Sequence, residues 1–204
     1  MGRPSTRDKL LDTAEGLFAE HGLEGVSLRA INAEAGLSPA ALHYHFGSQQ
    51  ALVEALLERR MPALMGRRRE LLDAIDDERR PVSPRDVLVA LIRPLAEFLA
   101  EGGHEALRYL RLVHRLQSDG DLDPAFVIAR YPGGVDRLLP LLERALPEVP
   151  REVLELRLGL AIHTMLRSLA HDTDPTGRDL AAHVGALLDF LTGAFEAPIT
   201  GDSA

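Results

Sequence analysis

The sequence predicts an all-α protein, with a small front unit followed by a larger helical body. Three observations carry that expectation. Leu and Ala dominate an apolar fraction of 46%, while aromatic residues make up only 4%, a balance that suits helices better than strands. Apolar residues recur at three- and four-residue spacing in one segment after another, and no run alternates as a half-buried strand would. The segments are also punctuated by cap and breaker residues, among them Gly22, Ser27, Gly36, Ser38 and Ser48, and by turn-rich stretches such as "SDGDLDP" and "DTDPTG".

Taken in order, the first helix is expected from about Thr6 to His21, with Leu10, Leu11, Ala14, Leu17 and Phe18 along one face. Gly22 is its natural stop, because glycine alone takes the left-handed conformation without strain. Ser27 stands at the N-cap of "LRAINAEAG", whose Leu28, Ile31 and Ala35 share one side and which Gly36 closes. Ser38 is expected to cap a third helix, with Pro39 at the favoured first helical position. Only Gly36, Leu37 and Ser38 link these two short helices, which is the outline of a helix-turn-helix. Ser48 opens a longer helix reaching toward Arg80. Inside it Pro62 lacks an N–H and its ring meets the carbonyl of Glu58, so a kink is expected there. Beyond "RRPVSPRD" helices are expected at about 84–101, 104–118, 124–146 (interrupted at "YPGG"), 150–171 and 177–196. The resulting division is a helix-turn-helix domain over residues 1–50 and a helical ligand-binding and dimerisation domain over 51–204.

Composition removes several function classes. With no cysteine there is neither a disulfide, a thiolate nucleophile nor a cysteine-based zinc site. The N-terminal "MGRPSTRDKLLD" lacks the apolar core of a secretory signal. Arg157, Arg167, Asp179 and Asp189 interrupt the best candidates for the roughly 20 apolar residues of a membrane span. A cytoplasmic protein with no membrane contact is the expectation. The net charge of −8 argues at first sight against a nucleic-acid partner, but its distribution softens the argument. Residues 1–70 carry nine basic and nine acidic side chains, so the whole excess of negative charge lies behind them.

The stretch "LHYHF", Leu42 to Phe46, concentrates rings in a chain otherwise poor in them. On a helical wheel with Leu42 at zero, Phe46 lies at about 40° and shares its core-facing side, with His45 on the flank at about −60°. Tyr44 at about 200° and Ala40 at about 160° point the opposite way, flanked by His43 and Ala41 at about 100° and −100°. His43 and His45 are therefore too far apart around the helix to chelate one ion. None of the eight histidines has the three- or four-residue spacing that a helical metal site needs, so no metal or cofactor is expected. The outward face has small residues first and hydrogen-bonding rings after them. That order suits a helix entering the DNA major groove N-terminus first, with backbone N–H groups near phosphate.

Across about residues 6–57 the chain resembles the N-terminal DNA-binding domain of the tetracycline-repressor (TetR) family. The resemblance rests on "LFAEHG", "G-V-S-L-R-A-I", "AGLS", "YHFGS" and the following "AL", in order and at family spacing. It implies that Ser27 and Arg29 touch the DNA backbone, that Ser38, Pro39, Ala40 and Ala41 meet the groove, and that His43 and Tyr44 contact base or backbone. Ser27 and Ser38 can serve as helix caps at the same time. Two positions depart from the family's pattern. His43 stands where Tyr is usual, and its charge can respond near neutral pH. Gln49 stands where Lys is usual, at the expected phosphate contact that opens the next helix. Losing that cation should flatten the salt dependence of binding by about 0.9 in log–log slope per half-site. Arg3, Arg7 and Lys9 form a short basic arm that could compensate.

In the body the resemblance implies a ligand cavity and a homodimer. The 177–196 segment has an apolar stripe of Leu180, Val184, Leu187, Leu188, Leu191 and Phe195. The 150–171 segment is apolar nearly all round, with Leu154, Leu158, Ile162, Met165 and Leu169 on one side and Leu156 and Leu160 on another, so it should have two packing partners. Family members pair their last two helices in a four-helix bundle. The expected interface is Leu158, Ile162, Met165 and Leu169 with the 177–196 stripe. Such a dimer would hold two recognition helices about 34–36 Å apart, over a near-palindromic double-stranded operator. Candidate contacts to an unidentified small-molecule effector are Phe98, His104, Tyr109, His114, Gln117 and His163, with Met61 and Met65 as further positions, while Arg67, Arg68 and Arg69 read as a solvated face. The expected function is a ligand-responsive regulator, a repressor, released from DNA by its effector. The alternative is an all-α small-molecule-binding protein or enzyme with a merely structural helix-turn-helix. Against an enzyme, no G-x-S-x-G, Gly-rich phosphate loop or H-E-x-x-H is present.

Overall fold

A computed structural model describes residues 5–77, 81–122, 124–174 and 179–199; among these the chain forms helices and no strand. The front unit comprises α1 (Thr6–His21), α2 (Leu28–Glu34) and α3 (Ala41–Phe46), followed by α4 (Gln49–Glu58). Ser5, Ser27 and Ser48 cap α1, α2 and α4, each hydroxyl accepting the N–H three residues on at 3.1 Å. Leu10, Leu11, Ala14 and Phe18 of α1, Ile31 of α2, Leu42 of α3 and Leu52 and Leu56 of α4 are fully buried together. The core of this unit continues without a break into the body.

Two expectations about helix ends change. Ser38 does not cap α3: Ser38, Pro39 and Ala40 form the turn itself, with the Ser38 carbonyl accepting from Ala41 N at 3.0 Å, and the helix begins at Ala41. Nor is the segment after Ser48 one kinked helix. It breaks at Arg59 and Arg60, and α5 (Met61–Asp77) starts anew with Pro62 in its first turn, where a missing N–H leaves no gap in the ladder. The further course toward Arg80 lies outside the described residues.

The body is organised by α6 (Pro84–Ser118), which packs against α1, α5, α9 (Arg151–His171) and α10 (Leu180–Glu196). Ser83 and Asp86 open it with a reciprocal capping box. It covers both the 84–101 and 104–118 segments, bent between them at Gly103, whose φ of 53° is left-handed and suits glycine. The "YPGG" interruption separates α7 (Pro124–Arg130) from a single 3-10 turn at Val135–Arg137 and α8 (Leu138–Ala145). The loop "DTDPTG" and the start of the last helix fall partly outside the described residues.

Candidate functional site

The head exposes the surface expected to meet DNA. Ser38, Pro39, Ala40 and His43 are exposed, Tyr44 is 85% exposed, and Ala41 is half-buried against the core. Tyr44 stands edge-on to His45 with ring centroids 5.2 Å apart. Ser27 and Arg29 are exposed at the start of α2, and among the described residues Arg29 has no ion pair or side-chain hydrogen bond. The expected basic arm is differently built. Arg7 and Lys9 belong to α1, the Arg7 guanidinium sits 5.2 Å from the Phe46 ring centroid, and Arg3 lies outside the described residues.

Gln49 departs from its expected role. Its amide N–H groups donate to the carbonyls of Leu23 (2.8 Å) and Val26 (3.3 Å), so the half-buried side chain points into the protein and pins the α1–α2 loop onto α4. An amide can donate twice within that pair of carbonyls, and once satisfied there it has no N–H to spend on a phosphate. Sequence reasoning also missed Asn32. It is 2% exposed, donates to the Pro39 carbonyl at 3.0 Å and accepts from Leu42 N at 3.1 Å, bracing the turn from within. The available signal was a polar residue four positions after Leu28 and three before Ala35, on the apolar face of its helix.

In the body a cavity of about 320 Å³ lies between α5, both arms of α6 and α9. Met61, Leu64, Met65 and Arg68 line it from one face of α5, and Leu158, Ile162 and Met165 from α9. Tyr109 and Gln117, among the residues expected to meet a ligand, face this space. The other four do not. Phe98 packs edge-on to Tyr109 at 5.7 Å but lines a separate surface cleft, and His104 is exposed just past the Gly103 bend. His114 belongs to a polar cleft with Arg111, Ser118, Arg167 and His171. Its Nδ1 is 3.1 Å from His171 Nε2, its ring centroid is 5.8 Å from that of exposed His163, and burial is the main reason the pKa values of His114 and His171 are lowered. Among the described residues no cluster of three or more histidines and carboxylates could hold a metal ion.

Arg68 is likewise not part of a solvated face: it is 3% exposed, three positions after Met65 on the apolar side of α5. Arg67 pairs instead with Glu97 and Glu70, and Arg69 is exposed.

Two adjacent residues of α6 connect this body to the head. The Arg108 guanidinium reaches Glu15 of α1 at 3.3 Å, where Arg59 also approaches at 3.7 Å. Glu15 is 5% exposed, and its burial raises its pKa against the pull of Arg108. Tyr109 donates its hydroxyl to the Leu57 carbonyl near the end of α4 at 3.3 Å, while its ring lines the cavity.

The expected dimer stripe faces inward for the most part. Met165, Leu169, Leu187, Leu191 and Phe195 are buried in the chain's own core, and Leu180, Val184 and Leu188 are half-buried against it. Leu158 and Ile162 line the cavity. The large apolar side chains left outside on these two helices are Leu156 (63% exposed), Leu160 (59%) and Phe190 (64%). A helix apolar on both sides gives no sign in its own sequence of which side its neighbours will cover.

An exposed helix-turn-helix tip on a helical body with an apolar cavity between its helices describes a DNA-binding transcriptional regulator. Residues 10–56 match the sequence model "Bacterial regulatory proteins, tetR family", and residues 89–194 match "Tetracyclin repressor-like, C-terminal domain". The chain belongs to the tetracycline-repressor family of regulators and is not an enzyme. It is similar to the transcriptional repressor KstR2 of Rhodococcus jostii, 36% identical over 78 residues that make up 38% of each chain. It is also similar to the regulator UidR of Escherichia coli K12, 26% identical over 58% of this chain and 54% of the relative. The matched stretches therefore span about four-tenths to half of these relatives. Among solved structures, KstR2 of Mycobacterium tuberculosis superposes with a TM-score of 0.64 over 95% of this chain and 96% of that one, at 21% identity, a likeness of fold. Among the described residues no helix is long and apolar enough to cross a membrane.

Proposed function

We propose that the chain is a homodimeric repressor of the cytoplasm that binds a near-palindromic operator and releases it when a small molecule fills the body cavity. The observation that carries this reading is the shared use of α6. Tyr109 forms part of the cavity wall and holds the end of α4, and its neighbour Arg108 holds α1. A ligand that favours a different position of this arm shifts the head with it, and by linkage DNA and ligand then weaken each other's binding. The DNA contacts in this reading are Ser27, Arg29, Ser38, Pro39, Ala40, Ala41, His43 and Tyr44. The partner subunit packs on Leu156, Leu160 and Phe190, whose exposure supports a face completed by a second copy.

The deciding experiment is selection of genomic fragments with the purified protein, followed by binding of the recovered site to wild type, Tyr44→Ala and Ala40→Glu. Enrichment of a near-palindrome, with both variants at least tenfold weaker, supports the reading. No enrichment at low salt, or variants that bind like wild type, overturns it.

A further inference from the structure

Four residues around the cavity carry polar groups, and two of them have unmet hydrogen-bonding capacity. The Tyr109 hydroxyl is bonded to the Leu57 carbonyl, and Glu155 is paired with Arg151 at 2.9 Å. Arg68 is different. Its donors reach the carbonyls of Ala90 (3.4 Å) and Leu91 (2.9 Å) and the sulfur of Met65 (3.3 Å), which uses three of the five N–H groups of a guanidinium. No carboxylate pairs with it among the described residues. Burial alone pulls its pKa down, to about 10, so it stays a cation at neutral pH. Across the same cavity wall, Gln117 Oε1 is buried and has no hydrogen-bond partner among the described residues. Removing a cation from water without a counter-charge is costly, and a buried acceptor without a donor adds to that cost. Everything else facing the space is apolar apart from the four groups named.

We infer that the ligand of this cavity is an amphipathic carboxylic acid: an apolar body in the space between α5, α6 and α9, a carboxylate accepting from Arg68, and a hydroxyl donating to Gln117 Oε1. The inference rests on the cavity being the effector site and goes further in naming what the effector is made of. A volume of about 320 Å³ lies near the lower end of the roughly 300–1,000 Å³ usual for small-molecule sites, so the acid is compact. The carboxylate supplies the counter-charge that the fold omits, and a planar guanidinium can meet it through two parallel bonds.

The test is calorimetric titration of the full chain with straight-chain acids from decanoic to hexadecanoic and with fused-ring abietic acid. Each is compared with its methyl ester, and the straight chains also with their ω-hydroxy counterparts. At least one acid should bind tenfold or more tighter than its ester. Arg68→Met should bring acid and ester level, and Arg68→Lys, which keeps the charge should the methionine variant fail to fold, should retain part of the preference. One ω-hydroxy length should gain affinity that Gln117→Leu removes. Acid and ester binding alike in wild type would overturn the assignment while leaving the cavity a ligand site. Binding by none of the compounds overturns the acid assignment, while the effector role of the cavity stands or falls with operator release by a ligand of another class. An acid that binds with the stated preference yet leaves the operator occupied upholds the ligand class and sinks only the regulatory coupling. If no hydroxy length gains affinity, the part assigned to Gln117 fails.

Discussion

Asn32 and Gln49 show how single amides shape the DNA-facing head. Both turn inward, and both satisfy backbone groups that no helix ladder can reach. Asn32→Ala leaves the Leu42 N–H and the Pro39 carbonyl without their partner at a buried turn. It should destabilise the protein by about 2 kcal/mol, read by chemical denaturation, and weaken operator binding with it. Gln49 yields a contrast with Arg29. Because its amide is engaged with Leu23 and Val26, Gln49→Ala should leave the salt dependence of operator binding unaltered. Arg29→Ala should flatten it by about 0.9 in log–log slope per half-site. A salt titration in which Gln49→Ala changes the slope as Arg29→Ala does would refute this assignment. The outward faces of His43 and Tyr44 were legible from helical periodicity, but Ala40 precedes α3 and Ala41 packs against the core, so the wheel did not govern the small residues. The inward turn of Gln49 was not legible, because its partners lie 23 and 26 positions earlier in the chain.

At the scale of elements, periodicity located the helices well and their partners poorly. Caps and glycines placed α1, α2 and the start of α4 within a residue or so, because a cap is a local bond, while the end of α4 at Glu58 went unseen. The order in which α9 turns its two apolar sides, and the burial of Arg68 on α5, depend on elements far away in sequence. They became visible only with the packing. The same packing gives Tyr109 two tasks that can be separated. Tyr109→Phe keeps the ring in the cavity wall and removes the bond to Leu57 on α4. Ligand affinity should stay within about twofold, while the ability of ligand to displace operator should fall several-fold, a coupling change of about 1 kcal/mol. Operator-release curves at several ligand concentrations measure it, and an unchanged coupling would remove Tyr109 from the route.

For the whole molecule, acidity and assembly are the accessible variables. His114 and His171 face each other with His163, Arg167, Asp119 and Asp172 nearby, and burial lowers both pKa values below the ordinary 6.5. A lowered histidine pKa means the unfolded chain takes up protons first. Stability is therefore complete above about pH 6.5 and declines as the pH falls below it toward the folded-state values. The melting temperature of wild type should drop between neutral pH and about pH 5 by more than that of His171→Gln. Equal losses would place the acid sensitivity elsewhere. If the proposed dimer packs on this face, Leu160→Glu, on the exposed side of α9, should leave a monomer in sedimentation where wild type is a dimer, and cost operator affinity without lowering helix content. The bend at Gly103 has a mechanical consequence. Were the second arm of α6 to pivot at this bend, Arg108 and Tyr109 would lie about 8–9 Å from the pivot and Gln117 about 21 Å from it, at 1.5 Å per residue. Movement at the Gln117 end would therefore arrive at α1 and α4 reduced about two-and-a-half-fold in travel and raised by the same factor in force. At 3.3 Å both the Arg108–Glu15 and Tyr109–Leu57 contacts are already near the length at which a hydrogen bond gives way, so a displacement of tenths of an ångström would suffice to break them.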